Sequence, residues 1–240
     1  MRRVLSLALA LLITGCAAET SAPPADASAD APAPAADAGP PGPPEPMDFG
    51  PLEMGTAPEN PYSDEQIARG AYLVGFGGCN DCHTPWNIGP DGNPAPDMTR
   101  MLSGHPRNAP DPVGRPGPGD VGLIGPSFTS FAMPFGIVYS LNLTPDIETG
   151  SGTWTEEMWL GIWSKARHLG GDGRTIRPPR PWPAVAGLTD EDKIAIFAYL
   201  RSIPPIMNAV PSSDVPPPVL EALGQANDAL LEQMAAGAPQ

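Results

Sequence analysis

Two cysteines three residues apart, with a histidine directly after, form the run Cys79-Asn80-Asp81-Cys82-His83, and no other feature constrains the chain so tightly. Thiols at that spacing can each add to one of the two vinyl groups on an edge of a haem. The adjacent imidazole then lies under the ring, within reach of the iron. A fold built on such an attachment must leave room for a flat macrocycle and surround it with large apolar side chains. The competing readings ask for partners that are not in evidence. A structural zinc site takes four ligands, and only His105 and His168 remain beside the motif, far apart in sequence. A thioredoxin-like dithiol needs a βαβ context, and no such pattern is visible. The motif predicts one covalently attached haem c, bound by Cys79 and Cys82, with His83 as the iron ligand. The second ring nitrogen of His83 is expected to donate to a backbone carbonyl.

The third cysteine, Cys16, has a separate explanation. Arg2-Arg3 form a positive start, and Val4 to Ile13 form a short apolar run containing Leu5, Leu7, Leu9, Leu11 and Leu12. That run is about half of the roughly 20 residues needed to cross a bilayer, so it reads as a signal peptide. Ile13-Thr14-Gly15-Cys16 resembles the bacterial lipobox, where cleavage before the cysteine leaves it diacylated at the new amino terminus. The expectation is a signal peptide over residues 1–15, lipidation at Cys16, and residence on the periplasmic side of a bacterial membrane. Several acyl chains on one residue give stable anchoring.

Residues 16–61 are rich in Ala, Pro, Asp and Ser and contain almost no aromatic side chains. Such a segment buries too little apolar surface to offset its ordering entropy, and same-sign, Pro-rich chains extend. It is expected to be a disordered tether. The net charge of −14 comes partly from this stretch; without Arg2 and Arg3 the thirteen basic residues fall to eleven against 27 acidic ones. Nucleic-acid binding needs clustered Lys and Arg, and this balance opposes it.

Order is expected from Tyr62. Ser63 caps a helix, with Gln66 completing a capping box and Asp64 and Glu65 in the first turn. Gly75, Gly77 and Gly78 end that helix just before Cys79. A second helix is expected from Thr155 to Leu169, with Trp159, Ile162, Trp163 and Ala166 on one face. A third runs from Thr189 to Ser202 and stops at Pro204-Pro205. Between Thr84 and Leu123 the chain reads as irregular, and no strand alternation stands out. Residues 212–240 read as a Pro-rich strap followed by a short amphipathic helix, which the sequence does not assign to the domain or to a partner.

The stretch 62–211 resembles the class I cytochrome c domain, in the single-haem form found in cytochrome subunits of periplasmic quinoprotein dehydrogenases. The segments that carry the resemblance are Arg69-Gly70-Ala71-Tyr72-Leu73, Asn142-Leu143-Thr144-Pro145-Asp146 with Thr149-Gly150, Pro178-Pro179-Arg180-Pro181-Trp182, and Leu188-Thr189-Asp190-Glu191-Asp192 leading into Ala198-Tyr199-Leu200-Arg201. The resemblance implies a mostly α fold with long Pro/Gly-rich loops, in which Gly70 lets the first and last helices cross near Phe197 and Tyr199. It also implies a methionine as sixth iron ligand just before Pro181-Trp182, but Arg180 stands there. A guanidinium has no free lone pair and cannot ligate iron. Met133, in Ala132-Met133-Pro134-Phe135, repeats the Met-Pro-aromatic pattern and is the favoured replacement. An open coordination position and His168 are the alternatives. Trp154, Trp159, Trp163 and Trp182 are expected to pack around the ring, and His105 to sit on a surface loop.

The function these readings imply is a membrane-tethered electron carrier without catalytic residues of its own. It would pass single electrons from a dehydrogenase to a terminal oxidase or another cytochrome, as a possible subunit of the dehydrogenase complex. The alternative is a five-coordinate haem protein that binds a small ligand or acts as a weak peroxidase, with Arg180 on the distal side.

Overall fold

The structure, a computed structural model, describes residues 45–237 apart from Pro118 and Asp172. The signal peptide, Cys16 and most of the expected tether therefore lie outside the described residues. Helix is the main regular structure, in six segments joined by long loops.

Helix α1 spans Asp64–Phe76, and its start follows the sequence closely: the Ser63 hydroxyl accepts from the Gln66 amide while the Gln66 side chain accepts from the Ser63 amide. Helix α3 (Glu156–Lys165) is capped by Thr155, and α5 (Asp190–Leu200) by Thr189, each through its side-chain oxygen. α3 ends four residues earlier than expected because Ala166 turns into the left-handed region, φ 47°. Between them sits the short α4, Trp182–Ala186.

The core forms where α1, α3 and α5 meet. Gly70 faces the backbone of α5, and a side chain there would strike the Ala195 carbonyl. This close approach brings Leu73 and Val74 against Ile196, Phe197 and Leu200. From α3, Trp159, Ile162 and Trp163 fill the same cluster, and the Trp159 indole donates to the Lys193 carbonyl at 2.6 Å. A buried indole N–H needs such a partner, so this bond also fixes how α3 sits on α5.

Short strands replace part of the irregular region expected from the sequence. β1 (Trp86–Ile88) pairs antiparallel with β2 (Pro94–Pro96), while β3 (Leu123–Ile124), β4 (Ser130–Met133) and β5 (Gly136–Tyr139) form an antiparallel three-stranded sheet. Strands of two to four residues are too short to show period-two alternation, which is why the pattern gave no signal.

The Asn142 to Gly152 loop acts as a polar hub. The Asn142 side chain accepts from the Thr144 amide and hydroxyl and donates to the Ile206 carbonyl at 2.8 Å. Asp146, fully buried, accepts from the Thr149 amide (2.8 Å), the Thr149 hydroxyl (2.7 Å) and the Thr56 amide (3.1 Å).

That last bond marks a difference from the expected tether. The packed region begins ahead of Pro61: Phe49 is buried, Met47 exchanges hydrogen bonds with Asn87, and the Gly55 amide donates to the Pro205 carbonyl. The segment has few apolar residues of its own, and it is held by the polar hub and by backbone pairing of Met54 with Ile206.

At the other end, Val215 in the strap is buried against β4 and β5. Helix α6 (Pro217–Gly237) packs Leu230, Leu231 and Met234 on the core. It also clasps the loop after α3: Arg167 makes a two-pronged bond to Asp228 at 3.0 Å, and the Asn227 amide donates to Thr175 and to the Ile176 carbonyl. No helix among the described residues is long and apolar enough to cross a membrane.

Candidate haem site

Gly77 closes α1, and Gly78 turns the chain with φ 63°, a left-handed conformation that a β-carbon would oppose. The turn launches the one-turn helix α2, Cys79–His83, so that Cys79 and Cys82 fall on one face, three residues apart. Both thiols are free; Cys79 is partly buried and Cys82 is exposed. Burial, with help from nearby Asp81, pushes both thiols upward, which keeps them protonated at neutral pH.

The other end of α2 is pinned. The Thr84 hydroxyl donates to the Asn80 side chain and accepts from the Leu102 amide, and the His83 carbonyl accepts from the Gly104 amide at 2.8 Å. His83 Nδ1 lies 2.8 Å from the Leu141 carbonyl oxygen. A carbonyl can only accept, so this bond places the proton on Nδ1 and leaves the Nε2 lone pair available to a metal. Burial, followed by the charge of Arg180, pushes His83 down to about 4, so the imidazole is neutral. Pro85 is fully buried just after the motif.

Cys79, Cys82 and His83 line one cleft that is partly open to solvent. Its apolar wall includes Val74, Leu143, Trp154, Trp163 and Leu200, and Trp159 and Trp182 reach it as well. The tryptophans thus pack as the sequence suggested. The polar part of the lining is one-sided. His168, Arg174, Arg177 and Arg180 all face the cleft, and among the described residues no Asp or Glu does. Burial first, and the neighbouring guanidiniums second, push Arg174 and Arg180 down to about 10. Arg177 is only 7% exposed, and among the described residues neither its Nε nor the Trp163 indole N–H has a partner.

These features fit a haem. Two unbridged thiols and a lone pair on Nε2 suit its covalent and axial bonds, and aromatic walls suit its faces. Its two carboxylates would supply acceptors for Arg177 Nε and for the Trp163 indole.

The other expected residues divide. Met133 is not brought to this cleft: it packs with Phe131, Val138 and Val215, its sulfur against Gly122. It pairs with Gly136 at the turn of the β4–β5 hairpin, beyond Phe131, which does reach the cleft. Met133, the expected sixth ligand, thus lies away from the cleft lining. His168 does line the cleft, its ring edge-on to Trp154 at 5.3 Å. Burial, then the three arginines, push it down to about 4. His105, expected on the surface, is 1% exposed, with Nδ1 at 2.9 Å from the Thr129 hydroxyl. The sequence reading missed Arg174 and Arg177. Their one signal is an arginine at every third position from 174 to 180 through a Pro-rich segment, a spacing that three-fold extended backbone puts on one side.

No family model matches the chain. It is 27% identical to the gluconate 2-dehydrogenase cytochrome c subunit of Pantoea cypripedii over 172 residues, 71% of this chain and 31% of that protein. It is 31% identical to the fructose dehydrogenase cytochrome subunit of Gluconobacter japonicus over 155 residues, 63% of this chain and 24% of that protein. The cytochrome c subunit of the quinone-dependent alcohol dehydrogenase of Gluconobacter oxydans is 27% identical over 156 residues, 65% of this chain and 25% of that protein. The chain spans a quarter to a third of the length of these curated relatives. Across the stretch that carries Cys79, Cys82 and His83, the chain is thus similar to the cytochrome c subunits of dehydrogenases.

Proposed function

We propose that the chain is a single-haem electron carrier, with Cys79 and Cys82 bonded to haem c and His83 bound to its iron. The observation that carries this reading is the convergence of two free thiols and a neutral, carbonyl-tethered imidazole on one aromatic cleft. Haem supplies a one-electron iron couple. The protein's own part is to hold it and control access. Leu141 fixes the tautomer and orientation of His83, α2 presents both thiols to one edge, and the tryptophan-rich wall excludes water. The exposed Cys82 side leaves one edge of the site open to solvent, where electrons can enter or leave.

The relatives are named as cytochrome subunits of gluconate, fructose and alcohol dehydrogenases. On that basis the electron donor is a dehydrogenase of a small alcohol, sugar or sugar acid; the acceptor is a terminal oxidase or another cytochrome. Residues 1–15 serve as a signal peptide and lipid on Cys16 holds the protein to the periplasmic side of a membrane. The tether from Cys16 then ends where Met47 begins to pack. A tether of this kind raises the effective concentration of the domain near membrane partners.

The test is the visible spectrum of both oxidation states, from protein matured in a host able to attach haem. The pigment should stay with the polypeptide in acidic organic solvent, and Cys79→Ser with Cys82→Ser should release it. A colourless protein, or pigment lost to the solvent from the unaltered chain, overturns the reading. Cys16→Ser should shift the protein from the membrane to the soluble fraction.

A further inference from the structure

Among the described residues, the cleft carries more positive charge than a haem can neutralise. Three guanidiniums face it, no acidic side chain among the described residues does, and none of the ion pairs among those residues involves the three. The chain as a whole is acidic, with a net charge of −14, so this concentration does not follow from composition. Two haem carboxylates would balance two guanidiniums. One guanidinium then remains, together with the single net positive charge of a ferric porphyrin centre. Uncompensated charge in a low-dielectric cleft is costly and calls for a counter-ion.

The arginine left over is best identified by position. Arg180 occupies the place immediately before Pro181-Trp182, on the segment entering α4, and it lines the same cleft as His83 and Cys79. Arg174 and Arg177 therefore suit the carboxylates, and Arg180 suits the iron. Among the described residues, no methionine lines the cleft.

On the reading that haem occupies this cleft, we propose that Arg180 makes the open side of the iron a binding site for a small monovalent anion, in place of a thioether. The guanidinium presents several N–H donors in a fixed fork and cannot itself coordinate, so it holds a ligand without competing for the metal. His168, also in the cleft, is the rival occupant of the iron's free position, and the experiment separates the two.

Ferric protein is titrated with azide and with fluoride at fixed ionic strength, so that general screening is constant, and the visible spectrum is followed. Retention of the pigment in acidic organic solvent is checked on every sample. The expected result is a saturable spectral change for both anions in the unaltered protein. Arg180→Gln should weaken binding by about ten- to a hundredfold, the range for losing a charged hydrogen bond. Arg180→Lys should fall in between, because it keeps the charge and loses the fork. An unaltered protein that holds its pigment but ignores both anions overturns the proposal, as would a Gln variant with the original affinity. Should the Gln variant fail to take up haem, the unaltered protein and the Lys variant still decide. Absence of pigment from the unaltered chain would instead sink the haem reading itself.

Discussion

Gly70 and Ala195 are in backbone contact: the space where a Gly70 side chain would stand is taken by the Ala195 carbonyl, with the Tyr199 β-carbon 2.8 Å away. Both neighbours belong to the packed core of α5, and neither can swing aside as a flexible side-chain tip could. Gly70→Ala should therefore push α1 off α5 and destabilise the fold by about 1–3 kcal/mol, the usual range for overpacking a core. Chemical denaturation of the haem-loaded protein measures it, and Gly75→Ala, which meets nothing within 4 Å, is the control.

Asp146 ties the amino-terminal segment to the domain. Replacing it with alanine removes acceptors for the Thr56 amide and for both donors of Thr149. The expected loss is about 1–3 kcal/mol, with faster amide hydrogen exchange around Thr56 than elsewhere. Asp146→Asn keeps one acceptor oxygen and should cost less. Equal exchange at Thr56 in the alanine variant and the unaltered protein would show that the segment is held by other contacts.

The three histidines of the chain give its stability a pH slope. Burial is the first cause in every case: it pushes His83 and His168 down to about 4 and His105 in the same direction. An unfolded histidine takes up its proton near pH 6.5, so between about 6.5 and about 4 the unfolded chain holds more protons than the folded one. Stability is then complete above that window and is lost as pH falls through it. Denaturation midpoints should drop from pH 7 to pH 5, and His105→Gln should flatten part of the slope. A midpoint unchanged over that interval would contradict the buried, neutral state of these rings.

Asn227 joins α6 to the loop that carries His168 and Arg174, through bonds of 3.1 Å to the Thr175 hydroxyl and 2.9 Å to the Ile176 carbonyl. Asn227→Ala should cost about 1 kcal/mol. The spectrum of the loaded protein should also respond, because the cleft wall loosens. Asp228→Asn should cost about 1 kcal/mol or less, since Asp228 is exposed while its partner Arg167 is half-buried.

Much of this was legible in the sequence where local chemistry decides the outcome. Ser63, Thr155 and Thr189 cap their helices through short-range hydrogen bonds, and the sequence alone contains both partners. The spacing within Cys79 to His83 likewise needs no tertiary context to be read. What escaped depends on long-range placement. Met133 carries a plausible pattern but sits at a hairpin turn under the Val215 strap. His105 lies in a Gly-Pro context that suggests a surface loop, yet Thr129 from a distant segment receives it inside. The packing of residues 47–56 was hidden for the same reason, since its partners Asn87, Asp146 and Pro205 are 40 to 150 residues away. The arginines were overlooked because each looks like an ordinary surface charge until the chain folds them toward one space.

With haem in the cleft, that grouping of arginines would bear on the energy of the electron itself. Positive charge held beside the iron favours the ferrous state, which carries one positive charge fewer than the ferric. A thioether ligand raises a haem potential by bonding, and Arg174, Arg177 and Arg180 would raise it by field alone. An anion drawn in beside Arg180 would cancel part of that field and favour the oxidised form. By reciprocity, each arriving electron would then loosen the anion's hold, so that the carrier would shed an ion when it charges and regain one when it discharges.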